Sequence, residues 1–151
     1  MTSDAEGVTA GTPEGTPVIQ DQGVVRVSFS ADGRVATLLI DRERKLNALT
    51  LAMLAGVERA VAEIDASDAS VVIVRSAGER VFCVGADINH FADLTAAEMW
   101  RTWTATGHRA FAALAGIRQP TVAVVDGLAL GGGFELALAC DFRILAAHAA
   151  V

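Results

Sequence analysis

The residues best suited to chemistry lie in the segment PTVAVVDGLALGGGFELALACD, which runs from Pro120 to Asp141. Gly131 to Gly133 precede an apolar stretch that is typical of a helix, and glycine lets another molecule approach the backbone closely. The first N–H groups of a helix have no intrahelical partner, so they bind an anion or an oxygen that becomes anionic during a reaction. Glu135 falls in the first predicted turn, so the segment predicts backbone donors beside a carboxylate acid/base.

These residues also have a purely structural explanation, because glycine turns and acidic residues are common where helices begin. Two phosphate-binding patterns are excluded. The dinucleotide fingerprint needs a glycine three residues after Gly133, where Leu136 stands, and the phosphate loop needs a Lys-Ser or Lys-Thr pair that does not follow the glycines. An oxyanion site with a carboxylate therefore remains the chemical hypothesis.

Composition bounds the class of protein. A chain of 151 residues suits one domain with a core, and no apolar run reaches the roughly 18 residues of a membrane span. The N-terminus lacks the pattern of a signal peptide. Cys83 and Cys140 give no disulfide framework and are predicted to be buried thiols, so we predict a cytoplasmic protein. The net charge of −6 argues against a nucleic-acid partner.

Other polar residues give weaker signals. Arg42, Arg44 and Lys45 form a basic cluster that has two explanations of similar weight, a solvated loop and a ligand-binding role. His90 and His108 have no metal-ligand spacing, so no metal site is predicted.

Alternating hydrophobicity and turn signals predict the elements that must position the Gly131–Glu135 segment. Residues 1–22 are predicted to be a disordered acidic tail, and residues 23–151 form the domain. The predicted elements after the tail are strands Val24–Ser30 and Val35–Ile40, a polar loop Asp41–Ala48, a helix from the N-cap Thr50 to Asp65, and strands Val71–Val74 and Arg80–Val84. They continue with a helix Ile88–Leu94, a long helix opened by Thr95 and Glu98, and strands Thr121–Val125 and Phe142–Ala147. This alternation predicts an α/β fold with right-handed crossovers.

An aromatic stripe runs along the long helix that follows Thr95. Trp100, Trp103 and Phe111 recur with Leu114 and Ile117 at helical spacing. Such a stripe usually faces a core, so we predict that it is core and not the wall of a ligand pocket.

Three blocks of the sequence resemble the crotonase superfamily, the enoyl-CoA hydratase and isomerase group. They are RKLNALT (Arg44 to Thr50), VFCVGADI (Val81 to Ile88) and PTVAVVDGLALGGGFELALACDFRI (Pro120 to Ile144), in the family's order. The resemblance covers nearly everything from Val24 to the end. It implies the crotonase-like ββα spiral fold, without the family's C-terminal helical region.

The resemblance implies a set of site residues. The oxyanion hole is expected at the N–H groups of Ala86 and Gly132, which would bind the thioester oxygen of an acyl-CoA, and Glu135 matches the first of two catalytic glutamates. Coenzyme A enters as part of the substrate, with no further cofactor and no metal. The expected substrate- and CoA-binding residues are Lys45, Leu46, Ala48, Ala86, Asp87, Ile88, Asn89 and Gly132, with Arg44 as an alternative to Lys45 at the CoA phosphates.

The second catalytic glutamate of the family is expected near position 155, and the sequence runs to Val151. We therefore expect the N-terminal part of a longer enzyme, with Leu138 and Phe142 left uncovered, and a homotrimer or dimer of trimers at full length. A naturally shortened, non-catalytic binder of CoA thioesters is the alternative. Isomerase and decarboxylase reactions of the superfamily also stay open, whereas a serine hydrolase of similar fold is disfavoured because no serine has a nucleophile motif.

Overall fold

The computed structural model describes residues 21–90 and 94–151. The first elements of the described part form an antiparallel hairpin of β1 (Val24–Phe29) and β2 (Val35–Asp41), which pairs Val25 with Ile40 and Val27 with Leu38. From Val25 onward, apolar residues alternate with polar ones along β1, and the turn at 31–33 contains Gly33 with a φ of +71°. The predicted hairpin is confirmed, and the predicted tail lies outside the described residues except for Asp21 and Gln22.

A central sheet carries the fold. Its order is β1-β2-β3-β5-β7, with β3 at Val71–Ser76, β5 at Thr121–Val125 and β7 at Phe142–Leu145. All pairs after the hairpin are parallel. A smaller sheet of two parallel strands joins β4 (Val81–Cys83) to β6 (Leu128–Ala129). The α/β class and the predicted strands are confirmed, and β6 was not predicted.

Helix α1 (Leu51–Asp65) covers one face of the sheet. Thr50 caps it by accepting a hydrogen bond from the Met53 N–H at 3.1 Å, as its position before the apolar repeat predicts. Met53, Leu54, Val57 and Ile64 are buried, because the helical repeat places them on one face.

The long helix after Thr95 has three parts. They are α2 (Ala96–Glu98), a π-helical segment (Met99–Thr104) and α3 (Ala105–Ala115). The predicted capping box of Thr95 and Glu98 is present. The preceding Ile88–Leu94 prediction is only partly met, because Ile88–His90 form a 3₁₀ turn and residues 91–93 lie outside the description.

Helix α4 (Gly132–Leu138) follows β6 and begins where the three glycines predict it. Its last residue, Leu138, and the first residue of β7, Phe142, are 52% and 61% exposed, so the predicted uncovered apolar surface is confirmed.

Cys83 and Cys140 are buried, and burial raises the pKa of each thiol to about 11. Within 21–90 and 94–151, no helix is long and apolar enough to cross a membrane.

Candidate active site

The Ala86 N–H is positioned by a short parallel bridge. The Leu49 N–H donates to the Gly85 oxygen at 2.7 Å, and the Asp87 N–H donates to the Leu49 oxygen at 2.9 Å. Because successive groups of an extended chain point to opposite sides, the Ala86 N–H faces away from Leu49.

The Gly132 N–H lies beside that of Ala86. A Cβ atom on Gly85 would stand 3.0 Å from the Gly132 nitrogen, and one on Gly132 would stand 3.9 Å from the Ala86 nitrogen. Gly132 is the first residue of α4, so its N–H has no intrahelical acceptor. Among the residues that the structure describes, neither N–H has a hydrogen-bond partner. The two donors predicted for an oxyanion hole are therefore neighbours and unpaired.

Gly133 explains how the start of α4 comes so close to β4. A Cβ atom there would lie 2.1 Å from the Cys83 carbonyl oxygen, which no side chain can do without displacing the backbone. That carbonyl also accepts a hydrogen bond from the Leu130 N–H at 2.9 Å. The turn before α4 passes through Gly131 with a φ of +47°, which favours glycine. The sequence motif GGG thus packs the helix start directly on the strand.

A cavity of about 280 Å³ opens in front of the two donors. Ala86, Gly132 and Glu135 line it, so the three residues predicted for catalysis share one space. The remaining lining is mostly apolar and comes from α1, the π-helical segment and α3: Leu49, Leu54, Trp103, Thr104, Gly107, His108 and Phe111. Glu135 is exposed at its end of the cavity, within reach of water.

The prediction that the aromatic stripe is core is only partly confirmed: Leu114 is buried and Ile117 packs against the core, but the other members differ. Trp100 is 68% exposed, and Trp103 and Phe111 pack against the core from one side while lining the cavity from the other. The π-helical segment from Met99 to Thr104 shifts the register of the side chains, so α-helical spacing does not place them correctly. Sequence reasoning missed His108 and Trp103 as cavity residues, because they are five positions apart and α-helical spacing does not place them on one face.

A second groove of about 430 Å³ lies on the other side of Ala86. The structure brings together here all the predicted CoA-binding residues except Gly132, which lines the cavity. They are Lys45, Leu46, Ala48, Ala86, Asp87, Ile88 and Asn89, with Arg44 and Val84 beside them. Ala86 lines both spaces, so one backbone donor stands where groove and cavity meet.

The loop on one wall of this groove is held in an unusual conformation. Leu46 and Asn47 have φ values of +54° and +52°, which non-glycine residues rarely adopt. The Asn47 side chain offsets the cost, since its amide donates to the oxygens of Ala77 and Val81 at 2.9 and 3.0 Å. The Asn47 carbonyl oxygen accepts from the Arg42 N–H at 2.9 Å. Asp41–Ala48 is therefore a polar loop as predicted, with a 3₁₀ turn at Glu43–Lys45, but part of it is buried, since Asn47 is fully inaccessible to solvent.

The basic cluster divides into a buried and an exposed part. Arg44 and Lys45 are exposed beside the groove, whereas Arg42 is buried and forms an ion pair with Asp87, with 2.8 Å between Nη1 and Oδ2. Burial alone would raise the pKa of Asp87, but hydrogen bonds from Arg42 and Asn89 outweigh it and hold that pKa below its ordinary value. Neither explanation offered for the cluster applies to Arg42. In the described part of the chain, no group of three or more His, Cys, Asp or Glu residues could hold a metal ion.

The sequence of the chain is similar to those of known proteins. The family model described as enoyl-CoA hydratase/isomerase matches residues 35–151. A short-chain-enoyl-CoA hydratase of Clostridium acetobutylicum is 36% identical over 82% of this chain and 47% of its own length. A crotonyl-CoA hydratase of Syntrophomonas wolfei is 38% identical over the same shares.

Solved structures agree with the sequence relatives. The crystal structure of an enoyl-CoA hydratase from Bacillus anthracis superposes with a TM-score of 0.77 at 35% identity, covering 83% of this chain and 48% of that one. The chain thus spans about half the length of the curated relatives that it matches.

Proposed function

Because this chain belongs to the enoyl-CoA hydratase/isomerase family, we propose that it acts on acyl-CoA thioesters and that its reaction is the hydration of a trans-2-enoyl-CoA. The observation that carries the proposal is the pair of unpaired N–H donors at Ala86 and Gly132, beside a cavity that Glu135 also lines. The names of the relatives from Clostridium acetobutylicum and Syntrophomonas wolfei support the same reaction.

The two donors would act on the thioester carbonyl. When the oxygen of water bonds to C3 of the enoyl group, the electrons of the double bond move toward the thioester oxygen and form an enolate. Two N–H groups fixed at that oxygen stabilise the developing charge, and losing one such donor typically costs about 3 kcal/mol of transition-state stabilisation. The donors need no side chain, which is why residues as small as Ala86 and Gly132 suit the role.

Glu135 would handle the protons of the addition. Its carboxylate accepts a proton from the attacking water as the C3–O bond forms, and the protonated Glu135 then gives that proton to C2 of the enolate, which restores the carboxylate and completes the 3-hydroxyacyl-CoA. Its exposure at the edge of the cavity allows water to reach it. The acyl chain would lie against Leu54, Trp103 and Phe111, which form the apolar wall.

The groove on the other side of Ala86 would hold the CoA moiety. Leu46 and Ala48 would flank the adenine, and Lys45 or Arg44 would meet the phosphates, since both are exposed at its rim. A cationic rim also explains how a chain with a net charge of −6 would attract an anionic substrate.

Hydration of crotonyl-CoA by the purified protein, followed by chromatography of the products, tests the proposal. We expect 3-hydroxybutyryl-CoA, and we expect Glu135→Gln to lower kcat by roughly 10²- to 10⁴-fold, the usual contribution of a general acid/base. Binding of the CoA thioester should be largely kept. Glu63→Gln, an exposed change on α1, is the matched control. Parental activity in Glu135→Gln would remove Glu135 from the mechanism, and a shifted double bond in place of the hydroxyl would indicate an isomerase.

A non-catalytic CoA-thioester binder is the second candidate. It is favoured by one observation: among the described residues that line the cavity, Glu135 is the only carboxylate, whereas the family's hydration uses two. This candidate predicts saturable binding of crotonyl-CoA in calorimetry with no product formed. Turnover would reject it.

A further inference from the structure

We propose that Arg42 and Asp87 are positioning residues, whose buried ion pair joins the CoA-groove loop to the oxyanion loop and fixes the Ala86 N–H opposite Gly132. The expected effect of the ion pair on kcat rests on the proposed function. The positioning role goes beyond that function, because Arg42 lines neither the cavity nor the CoA groove, and Asp87 acts here through the neighbouring N–H of Ala86.

Arg42 gathers three segments of the chain around one guanidinium group. Its Nη1 donates to Asp87 Oδ2 at 2.8 Å and to the Ala48 oxygen at 3.1 Å, and its Nε donates to the Asp21 oxygen at 2.7 Å. Its backbone N–H and carbonyl are bonded to Asn47, which holds the strained turn of the groove. The side chain is 3% exposed, so these bonds are shielded from water and strong.

Asp87 uses all of its polar groups within the protein. Oδ2 accepts from Arg42, and Oδ1 accepts from the N–H and the side-chain amide of Asn89 at 3.0 and 2.9 Å. Its N–H donates to the Leu49 oxygen, and its carbonyl accepts from the His90 N–H at 3.0 Å. Both oxygens of the Asp87 carboxylate thus have partners within the protein, although the residue lies in the groove wall.

The peptide that presents the first oxyanion donor lies directly before this fixed residue. On the other side of the bridge, Leu49 directly follows Ala48, whose oxygen accepts a hydrogen bond from Arg42. A chain neighbour of each partner in the Leu49–Ala86 bridge is therefore bonded to the same guanidinium group. A donor misplaced by about 1 Å costs on the order of 10²-fold in rate. The geometry therefore gives the ion pair control over the alignment of the Ala86 N–H with that of Gly132.

A charge-free pair separates positioning from simple stability. Arg42→Met with Asp87→Leu removes both charges together, and replacing a buried ion pair by apolar residues of similar size often leaves a protein folded. We expect the melting temperature of this double variant to lie within a few degrees of that of the parent. We expect its kcat to be lower by about 10- to 100-fold. The carbonyl stretching frequency of a bound acyl-CoA should shift less on binding to the variant than on binding to the parent. Asp87→Asn and Arg42→Lys should give intermediate losses, because each keeps some of the hydrogen bonds.

Hydrogen exchange of the Asp87 amide in the ligand-free protein is a second readout, independent of turnover. That amide is bonded to the Leu49 oxygen, so we expect it to be protected in the parent and to exchange faster in the variants. The matched control is Arg26→Met with Asp41→Asn, which removes an Arg–Asp ion pair that solvent reaches. This control should change neither kcat nor the exchange of the Asp87 amide.

The outcomes are distinguishable. Folded variants with parental kcat, carbonyl shift and amide protection would overturn the positioning role while leaving the proposed function intact. A parent that neither binds nor hydrates crotonyl-CoA would overturn the proposed function, and the exchange of the Asp87 amide would then decide the positioning role alone.

Discussion

Gly133 shows how one residue sets the geometry of the candidate site. Its missing side chain lets α4 begin in direct contact with the Cys83 carbonyl, and this contact brings Gly132 next to Ala86. Gly107 lies in the interior of α3, where a Cβ atom would meet only Leu54 Cδ1 at 4.0 Å. The same substitution at these two glycines should therefore have opposite effects.

We expect Gly133→Ala to destabilise the protein by about 3 kcal/mol or more, since the clash must be relieved by moving backbone. Gly107→Ala should stabilise it by roughly 0.4–1 kcal/mol, because alanine restricts the unfolded chain and fits the helix. Urea unfolding followed by circular dichroism measures both. A Gly133→Ala protein as stable as the parent would show that the contact with Cys83 is looser than the structure has it.

Single residues also mark where sequence reasoning reached its limit. Glu135 and Gly132 could be predicted because their signals are local, a glycine run followed by an acid at a helix start. The burial of Arg42 could not, because a cation within the run DRERK looks solvated and its partner Asp87 is 45 positions away. The positive φ of Leu46 was equally hidden, since leucine gives no sign of that conformation.

At the scale of elements, helix starts were the most predictable feature. Thr50 and Thr95 both cap helices through a hydroxyl that accepts an N–H, from Met53 and Glu98 respectively. They differ in burial, because Thr50 is fully buried and also donates to the Gln22 oxygen at 2.7 Å, whereas Thr95 is exposed. These two caps form a natural comparison.

We expect Thr50→Ala to cost about 2 kcal/mol of unfolding free energy, at the upper end for a lost cap, because the Gln22 oxygen also loses its donor. Thr95→Ala should cost about 0.5–1 kcal/mol, since water replaces the lost bonds. Thr50→Ser keeps the hydroxyl and should recover most of the loss. Equal costs for the two alanine variants in thermal unfolding would argue against a contribution from burial.

Elements that depend on distant partners escaped prediction. β6 has two residues, Leu128 and Ala129, and it is a strand because it pairs with β4. The long helix after Thr95 separates the two strands in the sequence. The π-helical segment at Met99–Thr104 carries no sequence signal, and it contains Trp103, which lines the cavity. Local propensity thus predicts where helices begin, and tertiary contacts decide how they continue.

At the scale of the whole molecule, the fold converts three separate sequence blocks into one site. RKLNALT supplies one wall of the groove beside Ala86, VFCVGADI supplies Ala86, and the glycine block supplies Gly132 and Glu135. The order of these blocks was enough to predict the fold class and the family. Their mutual distances were not predictable, because they depend on glycine contacts between β4 and α4.

The pH dependence of the stability of the whole molecule follows from the groups whose pKa values are shifted in the folded state. Hydrogen bonds lower the pKa values of Asp32, Glu98 and Asp141, and those from Arg42 and Asn89 outweigh burial to lower that of Asp87. A carboxyl whose pKa is lower in the folded state stabilises the fold above its unfolded pKa of about 4, and this stabilisation is lost as pH falls through the folded value. The buried thiols of Cys83 and Cys140 act at alkaline pH, because their folded-state pKa of about 11 lies above the unfolded value of about 8.5. The stability of the fold should therefore decline as pH rises from about 8.5 toward 11.

Asp141→Asn tests the acid limb of this behaviour. Asp141 Oδ2 accepts hydrogen bonds from the N–H and the hydroxyl of Thr121 at 2.8 and 2.9 Å, which ties the start of β7 to β5. In urea unfolding from pH 7 to pH 2.5, we expect the variant to be less stable than the parent near neutrality. The difference should shrink as pH falls below about 4, because protonation removes the same charge from the parent.

Asp68→Asn, an exposed change in the connector after α1, is the control. Its unfolding free energy should stay within about 0.5 kcal/mol of that of the parent at every pH. A difference between Asp141→Asn and the parent that does not change with pH would mean that the charge of Asp141 contributes nothing to the link between the two strands.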